Sequence, residues 1–260
     1  MNCKICRSKT KECFTNTILK HNKVFYFHCP TCGFLQTEEP YWQEEAYSEP
    51  VSSLDTGIIQ RNIDLTKAAS VIIYFLFDKT GSFLDFAGGY GIFTRMMRDI
   101  GFDFYWEDKY TQNLFARGFE KKEFSHEFEL ITAFECFEHF VDPVSELNKI
   151  LSLSGSIFFS TQLLPEPLPQ PENWLYYSAE SGQHISFYSY KTLKNVADKY
   201  NLTLCSNKKN LHLLTRKKIS NKYFLLLLYL SQLRFDIFIN NHLQSRTLQD
   251  CKFLSKKQYK

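Results

Sequence analysis

The chain has 260 residues, of which 44% are hydrophobic and 17% aromatic, enough for one sizeable domain with a small appendage. Its formal net charge of +3 is too small to indicate a nucleic-acid or membrane partner by itself. The N-terminus shows no apolar signal segment, and the longest apolar run, YFLLLLYL, is too short to span a bilayer, so we expect a soluble cytoplasmic protein with reduced or metal-bound cysteines.

Residues 1–42 contain two Cys-x-x-Cys pairs on either side of the β-like stretch KVFYFH. Each pair forms a tight turn whose sulfurs face one point, and four thiolates complete the tetrahedron that zinc prefers. Gly33 suits the backbone turn after the second pair, whereas Cys13 and His28 lie nearby without the pair spacing. We predict a zinc ribbon-like module with a closed structural Zn²⁺ site, whose ligands are Cys3, Cys6, Cys29 and Cys32.

Residues 43–80 are predicted to be a helical connector, because apolar residues recur at roughly helical spacing from Asp55 until near Asp78. We expect this helix to pack on the main domain.

Residues 81–216 alternate strand-like and helix-like segments and form the predicted main domain. Strands are predicted at SFLDF, FDFYW, FELITAF and SIFFSTQ, and helices at GIFTRMMRDI, TQNLFARGF, DPVSELNKILSL and YKTLKNVADKY. This alternation is typical of an α/β fold with a doubly wound, mostly parallel sheet. LTLCS and LHLLTRK are predicted to close the sheet as a hairpin with an antiparallel last strand, and residues 217–260 to form a helical C-terminal extension.

The stretch DFAGGYG between the first strand and helix concentrates three of the ten glycines. A glycine-rich turn there lets a ligand approach the backbone closely, although a tight strand-to-helix turn alone would also explain it. Gly88, Gly89 and Gly91 do not fit the dinucleotide fingerprint GxGxxG. Asp85 would repel a pyrophosphate and suits a ligand with a cationic amine.

A second pair of acids, Glu107 and Asp108, ends the next strand. An acid about 20 residues after a glycine turn is the usual partner of ribose hydroxyls. A cationic amine, a ribose and no phosphate together describe S-adenosylmethionine.

Three segments resemble class I S-adenosylmethionine-dependent methyltransferases of the type 11/23-like kind. LDFAGGYGIFT resembles their first motif, an acid followed by GxGxG, with Ala87 in place of the first glycine. ITAFECFEHFVDPVSELNKI is similar to their segment around the fourth strand, and SGSIFFSTQ to the strand that follows. The resemblance covers roughly residues 82–217 and implies a seven-stranded Rossmann-like sheet.

The resemblance also implies site residues. Asp85 and the loop from Ala87 to Gly91 would hold the methionine end of the cofactor, and Asp108 would take the ribose hydroxyls, with Glu107 as the alternate. Phe134 and Glu135 would border the cofactor pocket. His139 occupies a frequent family position, but we interpret it as a structural histidine at a helix start.

The acceptor side is predicted after SIFFSTQ, where prolines at 165, 167, 169 and 171 stiffen an extended loop. Trp174, Tyr176 and Tyr177 are equally compatible with a core under this loop and with a lid that stacks on the acceptor. His184 is the predicted catalytic base, because a neutral imidazole can remove the acceptor's proton; a lid histidine bonded to backbone is the competing interpretation.

HISFYSYKTL resembles the HLSYYS segment of zinc-containing deoxysugar C-methyltransferases, in which a tyrosine and a His-Glu-His cluster do acid–base work. Ser181, Gly182 and Gln183 replace the other members of that cluster, so we predict O-methylation of a sugar, a glycan or another small hydroxylated acceptor. Two alternatives stay open: an RNA methyltransferase with the zinc module as reader, which the acidic residues after that module disfavour, and a non-catalytic binding protein. The oligomeric state also stays open.

Overall fold

A computed structural model describes residues 1–48, 55–121 and 127–258. Residues 49–54 of the predicted connector therefore lie outside the described residues. Within these ranges the strands are β1 Lys11–Ile18, β2 Asn22–His28, β3 Leu35–Thr37, β4 Ser82–Phe86, β5 Asp103–Glu107, β6 Leu130–Ala133, β7 Ser156–Ser160, β8 Ser186–Phe187, β9 Thr203–Ser206 and β10 Leu211–Thr215. The α-helices are α1 Gln43–Ala46, α2 Ile58–Leu76, α3 Ile92–Ile100, α4 Pro143–Leu151, α5 Tyr190–Lys199, α6 Asn221–Gln232, α7 Asp236–His242 and α8 Thr247–Gln258.

The chain divides into two compact units. Unit 1 comprises Met1–Ser52, Phe134–Ser152 and Phe159–Lys218. Unit 2 comprises Ser53–Ala133, Leu153–Phe158 and Ile219–Lys260.

Unit 2 is built on the parallel strands β5, β4 and β6. β4 and β6 are buried on both faces, as expected of strands that helices cover, whereas β5 is fully buried only at alternate residues, Phe104 and Trp106. Phe83 of β4 stacks on Phe104 of β5, with ring centroids 5.2 Å apart, and Phe93 of α3 meets Phe104 edge-on. This register ends β4 and β5 side by side, Phe86 beside Glu107, and so brings the two predicted ligand loops together.

Unit 1 contains a separate antiparallel sheet in the order β1-β2-β3-β8. The N-terminal strands are joined to β8 through β3, where Leu35 faces Phe187 and Gln36 faces Ser186. One apolar cluster unites this sheet with the proline-rich segment; its fully or nearly fully buried members include Ile18, Val24, Tyr26, Leu35, Trp42, Leu164, Tyr177, Ile185 and Phe187. The N-terminal module therefore shares its core with the segment on which His184 lies.

Two short helices of unit 1 begin as their sequences predict. Asp142 caps α4 by accepting from the backbone N–H groups of Val144 and Ser145, with Pro143 in the first turn. Ser189 caps α5, and Thr192 returns the bond as in a capping box.

The larger sheet has the strand order β5-β4-β6-β7-β10-β9, with an antiparallel pair at its end. The prediction of seven strands is wrong, because this sheet has six strands within the described residues. A single parallel bridge from Trp106 to Glu120 stands at the β5 edge, where a further strand would add. The mixed α/β architecture and the antiparallel last pair are confirmed.

The helix predicted at TQNLFARGF does not form. The Asn113 side chain instead accepts from the Ala116 N–H and donates to Glu120, and Gly118 has φ +88°. Side-chain bonds of this kind give the backbone an alternative to a helix.

Across the described ranges, no helix by itself has both the length and the apolar character needed to cross a membrane. Taken together, α6 and α7 do meet that test of length and composition, with a bend of 85° between them.

Candidate functional site

The glycine loop lies between β4 and α3, above a buried carboxylate. Asp85 is 2% exposed, and its carboxylate accepts hydrogen bonds from the hydroxyls of Thr94, at 2.9 Å, and Thr132, at 3.0 Å. Burial raises the pKa of Asp85 to about 7, and the charge of Asp108 adds to this rise. Asp85 therefore supports the loop from beneath and holds a proton to a higher pH than an ordinary aspartate does.

Two adjacent glycines in this loop differ in what surrounds them. A Cβ on Gly88 would lie 2.6 Å from Asp85 Oδ2 and 2.8 Å from Trp106 Cδ1, so only glycine fits there. A Cβ on Gly89, where φ is +54°, would meet nothing within 4 Å. The loop backbone is therefore closely packed against Asp85 and Trp106 at Gly88, whereas the space beside Gly89 is open.

The other loop positions carry left-handed backbone. Ala87 has φ +57°, which strains a residue with a side chain. Gly91 has φ +84°, and a Cβ there would lie 2.8 Å from Asn113 Oδ1. Gly91 is also the residue that precedes α3, so the loop leads directly into the N-terminus of that helix.

The two acids at the end of β5 have different surroundings. Asp108 accepts from the backbone N–H groups of Gly89, Tyr110 and Thr111, at 3.0, 2.7 and 2.8 Å. Glu107 forms an ion pair with Lys121 at 3.0 Å, with its side chain 28% exposed. The Asp108 carboxylate therefore fixes the backbone on both sides of the cradle, while the Glu107 carboxylate is paired with the Lys121 amine.

The Gly89 carbonyl is held as firmly as its N–H. It accepts from Trp106 Nε1 at 2.8 Å and from the Thr111 hydroxyl at 2.7 Å. The loop is thus held by bonds to the neighbouring strand end, in keeping with a preorganised ligand cradle.

The four predicted zinc ligands lie together in unit 1. Their sulfurs all lie within 4.8 Å of one another, with Cys3 and Cys32 at 3.5 Å and Cys6 and Cys29 at 3.5 Å. A tetrahedral zinc site with bonds of about 2.3 Å spaces its sulfurs about 3.8 Å apart. The hydrogen bond between the two thiols lowers the pKa of Cys3 and raises the pKa of Cys32, because one sulfur keeps the proton that the other accepts.

Both cysteine turns have the backbone of metal-binding knuckles. The N–H of Arg7 donates to the Cys3 carbonyl at 3.0 Å, and the N–H of Gly33 to the Cys29 carbonyl at 2.8 Å. Arg7 and Gly33 have φ +65° and +75°. The donor set therefore fits a zinc ion.

A second cluster of potential ligands surrounds His184. Its imidazole meets that of His139 edge-on, with centroids 4.9 Å apart. His184 Nδ1 lies 2.7 Å from the Tyr176 carbonyl, so Nδ1 carries the proton and Nε2 keeps its lone pair. Burial lowers the pKa of His184 to about 4 and the pKa of His139 well below its usual range. Both rings are neutral at physiological pH.

Glu138 lies beside these two rings and is 0% exposed. Neither of its carboxylate oxygens has a hydrogen-bond partner among the described residues. Burial raises its pKa to about 8, and the charge of Glu135 adds to the rise; the hydroxyls of Tyr176 and Thr161 lower it without reaching hydrogen-bond geometry. A buried carboxylate without a partner destabilises the folded state, so a ligand that pairs with Glu138 would stabilise it.

Two tyrosines frame the cluster. The Tyr47 hydroxyl lies 3.0 Å from His139 Nδ1, and the Tyr176 ring packs on His184 with centroids 4.7 Å apart. Tyr177 is 1% exposed within the apolar cluster, and Trp174 packs against it. The residues of the predicted aromatic segment therefore have different environments: Tyr177 belongs to the apolar core, whereas Tyr176 packs on His184.

The N-terminal module holds the His184 segment in place through direct bonds. Trp42 Nε1 donates to the Gly182 carbonyl at 2.8 Å, and Gln183 Nε2 donates to the Ala46 carbonyl at 2.8 Å. The Thr192 hydroxyl donates to the carbonyl of Cys32 at 3.0 Å. The cysteine cluster and the His184 cluster therefore belong to one packed assembly of unit 1.

The structure groups most of the predicted site residues and adds others. Asp85, Gly88, Gly89 and Asp108 are bonded or packed together in unit 2. Phe134 and Glu135 follow β6, and Glu135, at φ +49°, bonds through its N–H and its carboxylate to Ser160. Sequence reasoning missed Glu138 and Tyr47; the Glu-His pair in FEHF was the available signal for Glu138.

Comparisons with known proteins identify a family. No curated protein matches the chain. Among solved structures, the plantazolicin methyltransferase BpumL in complex with SAH is 10% identical, with a TM-score of 0.45 over 67% of this chain and 91% of that chain. An O-methyltransferase family protein from Burkholderia thailandensis is 14% identical, with a TM-score of 0.49 over 68% of this chain and 64% of its own. A family model described as Methyltransferase domain matches residues 59–207, more than half of the chain.

Proposed function

Because this chain belongs to the methyltransferase-domain family, we propose that it transfers a methyl group from S-adenosylmethionine to a small hydroxylated acceptor, most simply the hydroxyl of a sugar or glycan. The observation that carries the proposal is the open space at Gly89, at the end of a parallel strand and between two carboxylates. Ligands of doubly wound sheets bind at such strand ends.

The loop suits a cationic donor better than a diphosphate. Asp85 and Asp108 both contact the glycine loop, and the loop contains no lysine or arginine. When bound, S-adenosylmethionine supplies a methyl group on a positively charged sulfur. We infer that Asp85 and the loop from Ala87 to Gly91 hold its methionine end.

We infer that the acids at the end of β5 accept the ribose hydroxyls, with Asp108 as the first candidate and Glu107 as the alternate. Asp108 accepts three backbone N–H groups, among them that of Gly89, and so lies beside the open part of the glycine loop. Glu107 forms an ion pair with Lys121. Phe134 and Glu135 stay predictions as neighbours of the cofactor.

On the acceptor side, we propose that His184 acts on the hydroxyl that is methylated. Its Nε2 lone pair is free because Nδ1 donates to the Tyr176 carbonyl. As the new oxygen–carbon bond forms, the hydroxyl proton leaves, and Nε2 is the atom placed to receive it. The four cysteines would hold a structural zinc ion, and this ion would stabilise the N-terminal module that bonds to the His184 segment.

Methyl transfer is tested with S-adenosylmethionine labelled in its methyl group and a panel of monosaccharides and nucleotide sugars. We expect labelled product with at least one hydroxylated acceptor, and we expect His184→Ala to lower the rate at least about 100-fold. The control is His21→Ala, since His21 is an exposed histidine beside Glu45 and outside the cluster. Equal rates for His184→Ala and wild type would remove the role of His184.

A further inference from the structure

We propose that Glu138, His139 and His184 bind a divalent first-row transition-metal ion, at a site distinct from the four cysteines. Each residue offers one ligand atom, and these three atoms all lie within 4.8 Å of one another. A zinc ion with bonds of about 2.0–2.2 Å holds its ligands roughly 3–4 Å apart, so a contraction of about 1 Å completes the site.

The Glu138 carboxylate is the first observation that points to a ligand. It is fully buried, both oxygens lack a hydrogen-bond partner within the described residues, and the charge that acts on it is the like charge of Glu135. A buried carboxylate is stable when it is paired or coordinates a metal. A cation between Glu138 and the two imidazoles would supply that missing partner.

The imidazoles are the second, independent observation. His184 donates Nδ1–H to a backbone carbonyl, the arrangement that fixes metal-ligating histidines and leaves Nε2 free to coordinate. His139 contacts the Tyr47 hydroxyl through Nδ1, a comparable outer contact. The groups that face the cluster are Glu135, Tyr47, Tyr176 and Thr161, none of which is cationic.

Two histidines and one carboxylate are a common donor set for zinc and iron(II), and they leave coordination positions open. An acceptor oxygen is the ligand that suits such a position, because a divalent cation stabilises developing negative charge on oxygen. This use rests on the proposed function and replaces the role of His184 as base: with Nε2 on the cation, the hydroxyl of the acceptor would bind the cation and release its proton to solvent as the new oxygen–carbon bond forms. The existence of the site does not rest on methyl transfer.

Cobalt(II) is the probe, because its visible spectrum separates thiolate from nitrogen and oxygen ligands. The full chain is stripped of metal under reducing conditions, titrated with Co²⁺ and measured by metal analysis and absorption. We expect two ions per chain: one with thiolate charge-transfer bands, and one without them.

Variants assign the second ion. Glu138→Gln keeps the side-chain shape, and we expect it to bind the second ion more than about 100-fold more weakly, as should His184→Ala, while both keep the thiolate bands. The control is His21→Ala, which removes an exposed histidine 3.3 Å from Glu45 and should keep both ions. Circular dichroism confirms folding, and the retained thiolate bands report an intact unit 1.

Two results overturn the metal site: one ion per wild-type chain, or two ions in the Glu138→Gln variant. Methyl-transfer assays are separate. Activity that survives metal removal from the second site, with His184→Ala inactive, would keep the proposed function with His184 as base and reject a part for the cation in methyl transfer.

Discussion

The two units build their sites in opposite ways. In unit 2, the cradle comes from one short stretch of chain, Asp85 to Asp108, and depends on backbone conformation. In unit 1, the cluster around His184 gathers side chains from Tyr47, Glu138, His139 and Tyr176, far apart in sequence. A site made from contiguous backbone can be read as a motif, whereas a site made from scattered side chains needs the fold.

The difference extends to what holds each site together. The glycine loop is fixed by hydrogen bonds to the neighbouring strand end and by a buried carboxylate beneath it. The His184 segment depends on the N-terminal module, which pairs with β8 and bonds to Gly182 and Gln183. Loss of the proposed zinc ion should therefore affect unit 1 first and spare cofactor binding.

The largest expected effect comes from unit 1, where one cysteine variant should lower methyl transfer without changing cofactor affinity. Cys32→Ser removes one ligand of the proposed zinc site, and structural zinc contributes about 10 kcal/mol or more to small modules. We expect methyl transfer to fall at least about 100-fold, while affinity for S-adenosylhomocysteine changes less than about threefold, as measured by calorimetry. The control is Cys13→Ser, an exposed cysteine outside the cluster. Parallel loss of cofactor binding would contradict the separation of the two sites.

The next effect is a pH dependence within unit 2. Because burial raises the folded pKa of Asp85 to about 7, from about 3.9 in the unfolded chain, its contribution to stability is fully present below pH 4 and is lost as pH rises through 7. Asp85→Asn should remove this loss, so relative to wild type it gains up to about 4 kcal/mol between pH 4 and 8. Urea unfolding at both pH values measures it, with Asp99→Asn as the exposed control. Identical pH profiles for the variant and wild type would show that Asp85 does not titrate there.

A matched pair of glycine variants sharpens the picture of the cradle. Gly88→Ala places a methyl against Asp85 and Trp106 and should destabilise the protein by about 1–3 kcal/mol. Gly89→Ala places a methyl in open space, and should lower S-adenosylhomocysteine affinity at least about tenfold with a stability change near 1 kcal/mol. Thermal unfolding and calorimetry separate the two effects. Unchanged affinity in folded Gly89→Ala would mean that the ligand lies elsewhere.

The smallest effect concerns Ala87. Its φ of +57° strains a side-chain-bearing residue by about 1 kcal/mol, which glycine would relieve in part. We expect Ala87→Gly to raise the free energy of unfolding by up to about 1 kcal/mol without weakening the cofactor. Ala116→Gly, at a buried position without positive φ, should destabilise instead. A destabilised Ala87→Gly variant would show that Ala87 is well accommodated.

Sequence reasoning reached the fold class, the antiparallel last pair and the grouping of the four cysteines, because each rests on local spacing. It failed at the β5 edge, where Asn113 and Gly118 favour turns over the predicted helix. It also could not tell apart the surroundings of Glu107 and Asp108, since these adjacent acids acquire different partners only in the fold: Glu107 pairs with Lys121, and Asp108 accepts from the Gly89 N–H. Glu138 was missed because its burial without a hydrogen-bond partner is a property of the folded structure, which a sequence motif does not show.

The most direct test of the central claim is calorimetric titration of the wild-type chain with S-adenosylhomocysteine and, in parallel, with NAD. The account predicts one binding event per chain for S-adenosylhomocysteine, weakened by Gly89→Ala, and none for NAD. Binding of NAD that Gly89→Ala weakens, or no heat with S-adenosylhomocysteine, would contradict it.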